Sequence, residues 1–475
     1  MSTAAADPPR AAPAKGAARD ATAQTDLPVI VVGAGWAGLA AAVRLARAGL
    51  PVTVLEGAPQ VGGRARGVAL TLAGKTLALD NGQHLMVGAY RECLALAADA
   101  GMADDALARH PMRLQSVDGL ALRSVPLPAP LHLAIALLGA RGLSWAERWA
   151  LLRLLGGLRL RGWPAPAGLT VDRWLRDADQ PPALIARFWD PLCIATLNTA
   201  PEAACATTFV RVLRDTLGGA PSDSDFLLPR ATLSDVLPTP AQAQLARLGA
   251  TVELRTTALS LQRPSVGAGW LLRTSAGDRA ARAVVLAVPP YAQVRLLQSL
   301  PDAPAGRRVL ERLAAFEYDS IATVYLAWPA EFADRLPATM LLTEDPARDA
   351  FGQWLFSRGV AQGLALAAVV VSARGRRRDD AAGLTAGIAV QVSEQLALPA
   401  PMDARVITEK RATFRCTPDR PRVDAQGVDG EPLPWPDLWL AGDHAWPAYP
   451  ATLEAAVRSG LAAAAALLDK AGLTR

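Results

Sequence analysis

Hydrophobic and polar positions along this 475-residue chain change their period several times, and the changes mark its elements. After Pro28 comes Val29-Ile30-Val31-Val32, an unbroken β-branched run suited to a strand buried on both faces. It enters Gly33-Ala34-Gly35-Trp36-Ala37-Gly38. The Ala/Leu/Arg-rich stretch 39–48 follows and predicts a helix, closed by Gly49. Pro51-Val52-Thr53-Val54-Leu55 predicts a second strand, with Glu56 at its end. Two further apolar runs, Ala283-Val284-Val285-Leu286 and Leu438-Trp439-Leu440-Ala441, also read as buried strands. The pattern is that of an α/β fold opened by a βαβ unit.

The remaining periodicities are quieter. Residues 1–27 are Ala, Pro, Thr, Asp and Lys without the apolar run of a secretory signal, and read as a disordered tail. No stretch offers the roughly 18 uninterrupted apolar residues that would span a bilayer. The nearest, 131–140, is short and is followed by Arg141. Residues 141–162 are basic and amphipathic, with Arg141, Arg148, Arg153, Arg159 and Arg161 interrupting Leu and Trp. That pattern serves either a membrane surface or a solvated helix with one core-facing side.

Composition adds limits. With 51% hydrophobic and 20% charged residues the chain is globular, not disordered, and its length suits two substantial domains. A net charge of +5 is a mild balance that arginine-rich composition explains without a nucleic-acid partner. The four cysteines, Cys93, Cys193, Cys205 and Cys416, form no C-x-x-C pair, so neither a disulfide framework nor a metal site is expected. A cytoplasmic location, with peripheral contact on the inner face of the membrane as an option, is the corresponding expectation.

The βαβ unit carries the chemistry. Gly33 allows the strand-to-helix turn, Gly35 lets backbone approach a pyrophosphate, and Gly38 brings helix close to sheet. The helix N-terminus offers free N–H donors and a positive dipole end to phosphates, and Trp36 and Ala37, within the glycine turn that leads into it, count as cofactor-binding residues. Glu56, about 20 residues on, is placed to accept hydrogen bonds from a ribose. A dinucleotide site follows from these residues together.

The next residues narrow the cofactor. Glu56, five residues, then Gly62-Gly63-Arg64 resembles the E-x-x-x-x-x-G-G-R segment of the amine oxidase and phytoene desaturase flavoproteins. That resemblance implies FAD, with Gly63 and Arg64 along its pyrophosphate. Gly442-Asp443 and Tyr449-Pro450-Ala451-Thr452-Leu453-Glu454 resemble the closing motif of the same superfamily. There Asp443 would bind the ribityl and phosphate region, and the helix start at Thr452 and Leu453 would meet the flavin ring. Thr251-Val252-Glu253-Leu254 with Thr257-Ala258-Leu259 resembles the strand pair at the adenine, with Ala258 at the contact position. The implied fold is a Rossmann-like FAD-binding domain from 28–90, 226–292 and 430–475, with an interleaved α+β substrate-binding domain from 91–225 and 293–429. A second G-x-G-x-x-G for a nicotinamide cofactor is not visible, so an external electron donor is expected.

Asp80-Asn81-Gly82-Gln83-His84, Trp189-Asp190-Pro191, and the block from Val212 through Asp215 to Arg230 are similar to the hydroxysqualene dehydroxylase family. That resemblance implies reductive removal of the hydroxyl of hydroxysqualene, an apolar isoprenoid, to give squalene. It makes His84 and Asp80 the candidate proton donors, each with a structural alternative, and His444 a third choice. Carotenoid-type desaturation and amine oxidation are the competing readings. For the latter, Trp446 and Tyr449 are the aromatic pair that would hold a neutral amine.

Overall fold

A computed structural model describes residues 27–264, 269–373 and 380–473. The expected disordered tail, apart from Leu27, lies outside the described residues. The chain opens with β1 (Val29–Val32), α1 (Trp36–Arg47) and β2 (Val52–Leu55), followed by a hairpin of β3 (Gly67–Leu72) and β4 (Lys75–Asp80). Helix α1 begins three residues before the expected position, because Trp36-Ala37-Gly38 already has helical backbone. Three further helices matter to the site: α2 (Leu131–Leu138), α3 (Trp145–Leu160) and α4 (Ala206–Leu217). Strands β5 (Thr251–Glu253) and β6 (Ala283–Leu286) precede an antiparallel series, β7 (Tyr318–Pro329), β8 (Thr339–Leu341), β9 (Trp354–Ala361), β10 (Leu364–Val371) and β11 (Asp403–Phe414). The chain closes with β12 (Leu438–Leu440) and α5 (Leu453–Lys470).

Two five-stranded sheets organise these elements. The first has the order β5-β2-β1-β6-β12 and is parallel throughout, with Val29 beside both Val52 and Ala283. All four residues of β1 and all four of β6 are buried, as an unbroken apolar run requires when both faces are covered. Its strands come from three separated stretches of chain, so the sheet closes only when the C-terminal stretch docks beside β6. The second sheet has the order β8-β9-β10-β7-β11 and is antiparallel. One face packs on the helix Ala381–Gln395 through Leu384, Ile388 and Val392. The other packs on the β3–β4 hairpin through Leu72, Leu77 and Leu79. That hairpin, though sequentially part of the N-terminal stretch, therefore sits under the antiparallel sheet and carries the end of β4 into the space between the two sheets.

Helices α2, α3 and α4 share one core, in which Trp189 and Phe209 meet edge to face with ring centroids 6.1 Å apart. The Trp189 indole N–H donates to Gln180 Oε1 at 3.0 Å, so its one polar atom is satisfied although the ring is fully buried. At the start of α3, Ser144 and Glu147 form a capping box: Glu147 N–H donates to Ser144 Oγ and Ser144 N–H to Glu147 Oε2. All four cysteine thiols are buried and unpaired.

Candidate functional site

The turn between β1 and α1 is set by sterics. Gly33 has φ +103°, and a Cβ there would lie 2.7 Å from the Ala287 carbonyl oxygen of the neighbouring strand end. A Cβ on Gly38 would stand 1.9 Å from the Gly33 carbonyl oxygen, so the helix lies directly on the turn. Gly35 differs. Its Cβ would meet nothing nearer than Gly63 Cα at 3.9 Å, across a gap between two glycine segments. The segments are joined beneath that gap, where Gly62 N–H donates to the Ala34 carbonyl at 2.8 Å. The Trp36 indole N–H, donating to the Ala65 carbonyl at 2.9 Å, pins the second segment to α1. No side chain caps the start of α1 and no acid lies in its first turn, so its N–H groups remain available to an anion.

Charged groups complete this end. Glu56, at the end of β2, accepts from Ala34 N–H at 2.7 Å and from Ala58 N–H at 2.8 Å. A carboxylate has about four lone-pair sites, so both oxygens retain capacity for ribose hydroxyls. Arg64 Nη2 lies 2.8 Å from Asp443 Oδ1, and its Nη1 donates to the Ala412 carbonyl at 2.5 Å. Burial alone would raise the Asp443 carboxyl, but Arg64 and then His444 outweigh it and hold it well below the usual carboxylate range. Thr452 caps α5, accepting from Ala455 N–H at 3.1 Å, and leaves the N-terminus of that helix on the same cavity wall. Paired glycines, an open helix start, a carboxylate with spare acceptors and a half-buried arginine are a donor and acceptor set that fits a dinucleotide.

One continuous cavity of about 630 Å³ joins these residues. Gly33, Gly35, Trp36, Ala37, Glu56, Gly63, Arg64, His84, Ala258, Asp443, Thr452 and Leu453 all line it. Gly38 does not; it acts from behind, by letting α1 seat on the turn. Beyond the polar end the wall becomes apolar: Leu133 and Leu137 of α2, Leu155 of α3, Leu213 and Leu217 of α4, and Phe188, Trp354 and Phe356. Such a space suits a charged, hydrogen-bonding group at one end and a long apolar molecule at the other.

The Asp80–His84 loop enters this cavity from the end of β4. Gly82 has φ +105°, and its carbonyl sits 2.9 Å from His84 Nδ1, which fixes Nδ1 as the protonated ring nitrogen of the neutral form. Burial lowers the His84 pKa, and the charge of Arg64 lowers it further. His84 is therefore neutral at pH 7, contrary to the ready protonation its ordinary value of about 6.5 suggests.

Asp80 requires a correction. It does not line the cavity. Its side chain turns inward, accepts from Leu233 N–H at 2.7 Å and faces the Arg358 guanidinium at 3.6 Å. Its carbonyl accepts from the Tyr325 hydroxyl at 2.8 Å. Burial raises its carboxyl to about 6 despite Arg358. Asp80 anchors the base of the loop and cannot reach a molecule in the cavity.

His444 lines the cavity, but its ring is committed: Nε2 lies 3.2 Å from Gln293 Oε1, and burial lowers its pKa. Trp446 and Tyr449 do not frame an open slot, because Arg458 of α5 stands over both rings at 6.0 and 5.6 Å. What sequence reasoning missed is the Tyr449 hydroxyl donating to Asp215 Oδ2 at 2.5 Å, both residues on the cavity wall. Burial, then Asp215, push the phenol up to about 12. Both residues lie in segments already singled out, yet 234 positions separate them and nothing local couples them.

Comparison with known proteins agrees with this geometry. Residues 36–468 match the family model described as flavin containing amine oxidoreductase. Hydroxysqualene dehydroxylase of Rhodopseudomonas palustris is 30% identical over 471 residues, covering 92% of this chain and 97% of that protein. The protein of that name from Sinorhizobium fredii is 29% identical over 463 residues with the same coverage. Among solved structures, an oxidoreductase from Methanosarcina mazei superimposes with a TM-score of 0.69 at 13% identity, over 92% of this chain and 99% of that one.

Proposed function

The chain belongs to the flavin containing amine oxidoreductase family, with FAD as its cofactor, and from that premise we propose that it reductively removes the hydroxyl of hydroxysqualene to leave squalene. The observation that carries this reading is the continuity of the cavity from the glycine cradle into a wall of Leu, Phe and Trp side chains. A C30 hydrocarbon chain needs such a wall, and the proteins of like length and about 30% identity bear the name of that reaction.

In this reading Gly33, Gly35, Trp36, Ala37 and Gly63 with Arg64 and Asp443 hold the pyrophosphate and ribityl region, and Gly38 seats α1 on the turn behind them. Glu56 takes the adenosine ribose, Ala258 the adenine, and Thr452 and Leu453 the ring. The stretches 28–90, 226–292 and 430–475 then act as the cofactor-binding unit and 91–225 with 293–429 as the substrate-binding unit. Reduced FAD supplies a hydride, which an external donor must renew.

The chain's own task is the proton. The carbon–oxygen bond breaks, hydride closes the valence at carbon, and the hydroxyl leaves as water after taking one proton. Two cavity-wall groups handle protons there, His84 and Tyr449. A phenol held at about 12 is a far weaker acid than an imidazolium, and burial makes a His84 imidazolium a stronger acid still. We therefore assign delivery of the proton to His84 in its minority imidazolium form, from Nε2, with Gly82 orienting the ring through Nδ1. The apolar walls exclude water, so an electron-poor allylic carbon meets hydride and not hydroxide. The aromatic pair that amine oxidation would use does not support that reading, since the chain's own Arg458 stands over both the Trp446 and the Tyr449 ring.

Turnover of hydroxysqualene with a chemical reductant in deuterium oxide tests the reading. One deuterium at the former carbinol carbon of squalene is expected. Unchanged hydroxysqualene from flavin-loaded, reducible protein would overturn it.

A further inference from the structure

Helices α2 and α3 present an outward face that no other part of the described chain covers. On α2, Leu131, Ile135 and Leu138 recur at positions i, i+4 and i+7 and are all exposed. On α3, Trp145 is 72% exposed, Trp149 70% and Leu160 90%. At 100° per residue these three fall within about 60° of one another, a single stripe along the helix. Tryptophan and leucine at such exposure are costly in water, and two helices that share the feature make a patch, not an isolated side chain.

Arginine dominates the charge of the two helices themselves. Residues 131–162 hold five arginines and a single acid, Glu147. That acid is buried in the capping box at the start of α3 and contributes nothing to the outer face. Arg153 and Arg159 flank the stripe on its two sides, both exposed, Arg153 with Asp179 of the following segment 3.9 Å away. Arg148 lies over the Trp145 ring at 4.7 Å and donates from Nη1 to the Leu138 carbonyl at 2.5 Å, which ties the end of α2 to the start of α3. An apolar stripe with indoles in it and cationic margins matches the headgroup boundary of an anionic bilayer. No helix among the described residues is long and apolar enough to cross a membrane, so such contact is peripheral.

The inner sides of the same helices line the cavity. Leu133 and Leu137 are the cavity residues of α2, on the side of the helix opposite Leu131, Ile135 and Leu138, and Leu155 is that of α3. A molecule dissolved in the lipid beneath the patch is thus separated from the cavity by the thickness of one pair of helices.

We propose that the outer face of α2 and α3 docks on an anionic lipid bilayer and that an apolar substrate passes from the lipid between these helices into the cavity. The docking stands on the face alone; the transfer rests on the reading of the substrate as an isoprenoid. Trp145 and Trp149 act as interfacial anchors and the arginines select acidic headgroups.

Co-sedimentation of the full chain with vesicles of phosphatidylglycerol and phosphatidylcholine, against phosphatidylcholine alone, tests docking without any substrate. The wild type should bind the acidic vesicles and lose most of that binding at high salt. The double variant W145A/W149A should bind about tenfold or more weakly, with an unchanged thermal midpoint. Equal binding by the variant, or no binding by the wild type, overturns the proposal. So does a dimer that dissociates in the variant while vesicles are ignored, since the patch would then be covered by a second copy. Turnover separates the two parts: hydroxysqualene in detergent should be processed equally by both proteins, and hydroxysqualene embedded in vesicles only by the wild type. Loss of turnover in both media with vesicle binding intact would fault the substrate reading and leave docking standing.

Discussion

His84 shows how environment changes the part a residue can play. Its ordinary pKa makes it an acid near neutrality, but burial beside Arg64 lowers that value and leaves a neutral ring held by Gly82. If His84 delivers the proton, wild-type turnover rises as pH falls through neutrality and levels off only below the ordinary histidine value of about 6.5, because burial lowers the His84 pKa. H84Q should lose about 100-fold or more in kcat and show no such rise. A profile flat toward alkaline pH, with H84Q unimpaired, would transfer the role to Tyr449. Asp80 affects stability instead. An unfolded aspartate ionises near 3.9, whereas buried Asp80 does so at about 6. Folding therefore favours its protonated form: the stabilising contribution is full below about pH 4 and lost as pH rises through 6. Two units correspond to roughly 3 kcal/mol. D80N should flatten that part of the stability–pH curve measured by denaturant titration, and an unaltered slope would contradict the assignment.

At the scale of elements, the βαβ unit was legible because each of its residue types has one structural use. A β-branched run with no polar break can only be buried on both faces, and β1 is. The glycines sort by what surrounds them. G38A puts a methyl 1.9 Å from the Gly33 carbonyl oxygen and should unfold the turn, lowering thermal stability even without cofactor. G35A meets no chain atom closer than 3.9 Å. It should keep the stability of the flavin-free protein while weakening flavin retention, read from the 450 nm absorbance of the purified protein at about tenfold dilution steps. The loop at Asp80–His84 was legible as a segment but not in its geometry. Along β4, strict alternation would send Asp80 to the same side as exposed Ala78, yet Asp80 is buried because Arg358 and Leu233, distant in sequence, wait for it. The outward face of α3 was open in the same way. Amphipathicity is visible in sequence, but which of its faces has a neighbour depends on how the helix is docked.

For the whole molecule, the cavity runs continuously through parts of the chain that are far apart in sequence. Three separated stretches build the parallel sheet, and others build the apolar wall, so no window of sequence contains the cavity. The Tyr449–Asp215 contact, across 234 positions, is the clearest case of a site feature that only the fold creates. If the two ends of the cavity serve cofactor and substrate separately, they can be uncoupled. Ala195 lines the apolar end. A195W should fill part of it, leave flavin content unchanged and reduce hydroxysqualene turnover about tenfold or more. Loss of flavin in that variant would show that the two ends are not distinct. In the proposed function this cavity brings an allylic alcohol to reduced FAD. The most direct test is anaerobic mixing of dithionite-reduced protein, freed of excess reductant, with hydroxysqualene. The account predicts flavin reoxidation in step with one squalene per flavin; flavin that stays reduced over intact hydroxysqualene would contradict it.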